Sequence, residues 1–114
     1  MKRERESDLL RATMRALAMM PHCHALRLNA GLTILGSGKA ARAIRGVEPG
    51  TPDVLVMLRN GRVLWIELKT STGKLSDAQT AWHARARSMG HDVLVARSVQ
   101  DAVDAVREAI GGKP

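Results

Sequence analysis

Two runs, Asp53–Leu58 (DVLVML) and Arg62–Lys69 (RVLWIELK), are dense in β-branched and apolar residues and are separated only by Arg59-Asn60-Gly61. A tight-turn sequence between two such runs predicts an antiparallel hairpin. Its register matters for everything downstream. Were Asn60-Gly61 alone the turn, Asp53 would pair with Leu68 and would face away from Glu67. A three-residue loop instead pairs Leu58 with Arg62 and Asp53 with Glu67, and it wants glycine at its third, left-handed position, where Gly61 stands. A bulge could restore the same parity.

The second run ends on charge. Glu67 and Lys69 are two residues apart on a strand, so they leave the same face of the sheet. A buried strand that carries charge needs partners for it, and Asp53 at the head of the adjacent strand is a natural one. Two outcomes fit these three residues equally well. One is an Asp–Lys–Glu ion pair at a sheet edge. The other is a site in which two carboxylates hold a hard cation such as Mg²⁺, with the Leu68 backbone carbonyl as a further oxygen. Such an ion would polarise a phosphodiester and lower the pKa of an attacking water. Lys69 would orient that water or offset charge on the phosphate.

The remaining elements read in order along the chain. Residues 4 to 20 form an amphipathic helix, with Leu9, Leu10, Met14, Leu17 and Met20 on one side, ended by Pro21. Residues 24 to 29 alternate as a first strand. Gly31 to Gly50 is rich in glycine and basic residues with little periodicity, so it reads as a long loop with one helical turn around Lys39 to Ile44. Ser76 caps a helix over 77 to 89 with Leu75, Ala78, Trp82 and Met89 on one face. Residues 92 to 97 form a strand, parallel to a neighbour because a helix connects it. Ser98 caps a last helix that buries Val99, Val103, Val106 and Ile110. The expected fold is one α/β domain spanning residues 1–114, a small mixed sheet flanked by helices in the order α-β-β-β-α-β-α, with a disordered tail at 111 to 114.

Composition narrows the partner. The 18 Lys and Arg exceed the 11 Asp and Glu, giving +7, which favours an anionic partner such as nucleic acid. With two Trp, no Phe and no Tyr, the core must be aliphatic, and a single-strand binder that stacks bases on aromatics is disfavoured. Cys23 is the only cysteine, so no internal disulfide is possible, and its neighbours His22 and His24 cannot all point at one ion. No run approaches a membrane span, and charged residues interrupt the start of the chain, which argues for the cytoplasm. Gly36-Ser-Gly38-Lys39 is not a P-loop, because Thr33 and Ala40 stand where Gly and Ser or Thr are required.

From Glu6 to Val106 the chain resembles the virus-type replication-repair nuclease (VRR-NUC) family of the PD-(D/E)XK superfamily. An early helix with a Glu is followed by Arg27-Leu28-Asn29-Ala30-Gly31, then Pro49-Gly50-Thr51-Pro52-Asp53 and Trp65-Ile66-Glu67-Leu68-Lys69. Gly73-Lys74-Leu75-Ser76, Gln79 with Trp82, and Gly90-His91-Asp92-Val93 complete the set. The resemblance implies Mg²⁺- or Mn²⁺-dependent cleavage of DNA. Asp53 and Glu67 would be metal ligands, Lys69 the catalytic lysine, and Gln79 a positioning group on the helix. An acidic residue on the first helix usually completes such sites, here Glu6 or else Glu4. Stand-alone relatives resemble Holliday-junction resolvases and act as homodimers, which implies branched DNA as substrate. Lys39, Arg42, Arg45 and Lys74 are the candidate DNA contacts. Two alternatives are a DNA-binding module that does not cut, and a restriction or repair nuclease with sequence preference.

Overall fold

The computed structural model describes residues 5–28 and 32–111, without the side chains of residues 32–35, 40 and 42–45. Helix α1 (Glu6–Ala18) leads into strand β1 (Cys23–Arg27). Strands β2 (Leu32–Leu35) and β3 (Arg42–Arg45) follow, then β4 (Val54–Leu58) and β5 (Val63–Leu68). Helix α2 (Asp77–Ser88), strand β6 (Asp92–Ala96) and helix α3 (Val99–Gly111) complete the chain. The main sheet has the order β1-β4-β5-β6. β5 pairs antiparallel with β4 and parallel with β6, so the sheet is mixed.

The hairpin takes the three-residue register. Val54 pairs with Ile66 and Met57 with Val63, so the ladder places Leu58 opposite Arg62 and Asp53 opposite Glu67. The Leu58 N–H donates to the Arg62 carbonyl at 2.9 Å, and Gly61 sits at φ +85°. Asn60 secures the tip: its Oδ1 accepts from the Arg62 N–H and its Nδ2 donates to the Ala109 carbonyl, both at 3.0 Å.

Gly111, expected in the disordered tail, is instead the last residue of α3. The stretch read as a loop with a helical turn holds a second sheet, β2 paired antiparallel with β3, joined through a short 3₁₀ turn at Gly38–Ala40. Each of these strands is only four residues long and lies among glycines, too short for its alternation to stand out.

Alternation along β4 and β5 divides the structure into two layers. Val54, Val56 and Leu58 with Leu64, Ile66 and Leu68 face α1 and α3, and with Leu9, Leu17, Ala102 and Val106 they make the aliphatic core. Residues 65 and 67 face the other way, under α2. Helix α2 buries His83 and Ala86, whereas Ala78 and Met89 are exposed and Trp82 is half-buried. The expected apolar stripe is therefore rotated on this helix. The reason is its partner: α2 lies over the charged end of β5, and its inward positions are polar to match.

Candidate active site

Asp53 is placed by the turn before β4. The Thr51 hydroxyl donates to the Glu48 carbonyl at 2.7 Å, and Pro52 is fully buried. The Asp53 backbone carbonyl accepts from the Leu28 N–H at 2.8 Å, and its side-chain Oδ2 accepts from the Leu68 N–H, also at 2.8 Å. A carboxylate that grips the neighbouring strand's backbone is fixed in direction, and here it is fixed beside Glu67.

Glu67 has no solvent exposure and Lys69 only 9%. Helix α2 supplies two partners to the Glu67 carboxyl. Gln79 Nε2 donates to Oε2 at 3.3 Å, and His83 Nε2 lies 3.1 Å from Oε1. The Glu67 pKa is pushed up to about 9, first by burial and then by hydrogen bonding to Asp53 and its negative charge. Lys69 opposes that push, and Glu6 adds to it. The imidazole of His83 moves the other way, its pKa lowered by burial and by the charges of Arg87 and Lys69. The short His83–Glu67 contact is thus a hydrogen bond of a neutral imidazole rather than an ion pair.

Gln79 is oriented by its own helix. Ser76 caps α2 by accepting from the Gln79 N–H at 3.1 Å, while Gln79 Oε1 accepts from the Ser76 N–H at 2.9 Å. With Oε1 committed to the cap, the amide nitrogen is left to face Glu67. Beyond Lys69 the chain is clamped by Arg97, whose Nη1 donates to the Thr70 and Gly73 carbonyls at 2.7 Å each. The Lys69 N–H donates to the Ala96 carbonyl at 3.0 Å.

The structure therefore gathers Asp53, Glu67, Lys69 and Gln79, and it leaves others apart. Among the described residues, no three of His, Cys, Asp and Glu come together as a metal-binding group. Glu6 opens α1 as an exposed residue that reaches Glu67 through its charge. Lys39 and Lys74 are exposed. Glu4, Asn29 to Gly31, the last three residues and the side chains of Arg42 and Arg45 lie outside the described residues. His83 and Arg97 were not singled out in the sequence. The one signal for His83 was its position four residues after Gln79, on the same helix face. Nothing local marks Arg97, since its partners lie 24 and 27 residues away.

The family model of the VRR-NUC domain matches residues 7–100. The chain belongs to the VRR-NUC family. A solved structure described as a VRR-NUC domain superposes with a TM-score of 0.55 over 90% of each chain at 22% identity, which shows the shared fold. The curated relative "Putative nuclease p44" of Acyrthosiphon pisum secondary endosymbiont phage 1 is 41% identical over 58 residues. That match takes in 51% of this chain and 62% of the relative, so the chain spans about three-fifths of that protein's length. The VRR-NUC match runs from the second residue of α1 to the start of α3 and contains Asp53, Glu67 and Lys69.

Proposed function

We propose that this VRR-NUC domain is a divalent-metal-dependent endonuclease that hydrolyses DNA phosphodiesters, with a preference for branched substrates. One observation carries it. A fully buried Glu67 stands beside Asp53 and Lys69 at one end of the sheet, with a polar group of α2 against each of its oxygens. A structural ion pair would not need this arrangement. The neighbouring Asp53 helps hold Glu67 against ionising, and a cation between the two would reverse that penalty.

The donor set is all hard oxygen, which suits Mg²⁺ or Mn²⁺. Asp53 and Glu67 would hold the ion, with the Leu68 carbonyl as the backbone ligand and Glu6 as a nearby acid. So few protein ligands would leave coordination positions open for water and phosphate oxygens. A metal bound there would supply Lewis-acid polarisation of the phosphate and an acidified water. Lys69 places a positive charge where negative charge develops on the phosphate. Gln79 holds the Glu67 carboxylate. Lys39, Lys74, Arg42 and Arg45 are the proposed contacts to the DNA backbone, in keeping with the +7 charge.

The test is a cleavage panel of linear duplex, flap, fork and four-way junction DNA, each with Mg²⁺, Mn²⁺ or EDTA. Cutting in either metal, none in EDTA and faster cutting of the branched substrates are expected. Lys69→Ala is expected to slow cleavage by about a hundredfold while leaving DNA binding intact. Undiminished cutting by Lys69→Ala would remove the assignment of the site.

The proposed assembly is a homodimer. Its support is the outer face of β1, β4 and β5, where Leu26, Met57 and Val63 are 37%, 43% and 37% exposed. Exposed apolar residues on adjacent strands suit a second copy. Met57→Lys is expected to shift the protein toward monomer, and an unchanged sedimentation profile would place the interface elsewhere. No helix among the described residues is long and apolar enough to cross a membrane. The phage relative supports action in the cytoplasm of a bacterial host.

A further inference from the structure

His83 is 1% exposed and makes a single polar contact, Nε2 to Glu67 Oε1 at 3.1 Å. Its other ring nitrogen, Nδ1, is buried with no hydrogen-bond partner among the described residues. A histidine kept in a core for its own packing would be expected to have both nitrogens satisfied, as buried polar atoms nearly always are. Here one nitrogen is sacrificed and the other is aimed at the buried acid of the site. The ring is also held from the side, because the Trp82 indole stands edge-on to it with centroids 6.3 Å apart. Trp82 is in turn fixed against Trp65 on β5 at 5.0 Å.

We propose that His83 is a positioning residue, an imidazole that donates Nε2–H to Glu67 Oε1. With Gln79 at Oε2, it sets the plane in which the carboxylate presents itself to a divalent cation shared with Asp53. The inference rests on the nuclease reading above. Two donors from one helix, four residues apart, engage the two oxygens separately, so the carboxyl cannot rotate without breaking one of them. His83 touches neither the phosphate nor the water; it acts through Glu67.

The experiment measures Mn²⁺ binding to the metal-free protein by the electron paramagnetic resonance signal of the free ion. It compares wild type, H83L, H83Q, H83N, E67Q and E67Q/H83L, with circular dichroism to establish folding and cleavage followed against Mn²⁺ concentration. H83L is expected to weaken Mn²⁺ binding by about 10- to 100-fold, the effect usual for a partner of a metal ligand. H83Q, whose amide nitrogen reaches as far as imidazole Nε2, regains most of the affinity. H83N, which stops short, does not. In the E67Q background H83L adds no further loss, because the partner through which it acts is already gone. Wild-type affinity in H83L, equal affinities for H83Q and H83N, or an undiminished H83L effect on E67Q would each overturn the role of His83. Should H83L not fold, the comparison of H83Q with H83N makes the decision. A wild-type protein that neither binds Mn²⁺ nor cuts DNA overturns the nuclease reading and this inference together. Tight wild-type binding with an indifferent H83L overturns this inference alone.

Discussion

Glu67→Gln is expected to cut DNA cleavage by about a thousandfold and yet to make the metal-free protein more heat-stable at pH 8. The two effects have one origin. Glutamine keeps the shape of the side chain and can still accept from Gln79, but it cannot carry the charge that a cation needs. Without a cation that charge is a burden, since the Glu67 pKa rises from 4.5 to about 9 in the fold. Between those two values the unfolded chain has released a proton that the folded chain still binds. The contribution of Glu67 to stability is therefore full below pH 4.5, falls as pH rises and is lost by about pH 9.

Melting curves in EDTA at pH 5, 7 and 9 should show wild type losing at least about 5 °C relative to Glu67→Gln across the series. Added Mg²⁺ or Mn²⁺ should return that loss to wild type and give little to the variant. Parallel pH profiles for the two proteins would mean that the fold does not raise the Glu67 pKa.

The second large effect is expected at Gly50. Its φ is +93°, and a Cβ there would lie 2.3 Å from the Ala78 carbonyl oxygen in the first turn of α2. That oxygen belongs to backbone and cannot swing aside. Gly50→Ala combines a strained backbone with a collision, together destabilising by about 3–5 kcal/mol. That is a large fraction of a small domain's stability. Gly61 provides the control, with φ +85° and open space around its missing Cβ. Gly61→Ala should cost only about 1–2 kcal/mol, the backbone strain alone. Urea unfolding of the two variants separates the terms, and equal midpoints would show that the contact with Ala78 is not a tight one. Gly50 thus joins the turn that carries Asp53 to the helix that carries Gln79 and His83.

The sequence revealed most of this fold where neighbours along the chain decide it. A site built on Asp53 and Glu67 required the three-residue loop with Gly61 at its third position, and the ladder has that register. Ser76 and Ser98 were readable as helix starts because a cap needs only local partners. Very short elements, and those fixed by distant contacts, were not readable. The β2–β3 pair looked like a loop because its two strands are four residues each. The inward face of α2 was misjudged because it packs on a charged strand end, and a search for apolar period cannot find a face built from Gln79 and His83. Arg97 is a general case: a surface arginine until the turn at Thr70–Gly73 is seen against it.

The amide of Gln79 is divided between two tasks, its oxygen closing the first turn of α2 and its nitrogen holding Glu67. A helix end is ordinarily the part of a protein that opens most easily. Here each transient opening of that end would also free one oxygen of the acid and leave the other to His83. The turnover-competent population and the closed population of one helical turn are then a single quantity, and amide hydrogen exchange at Gln79 and Thr80 would report on both.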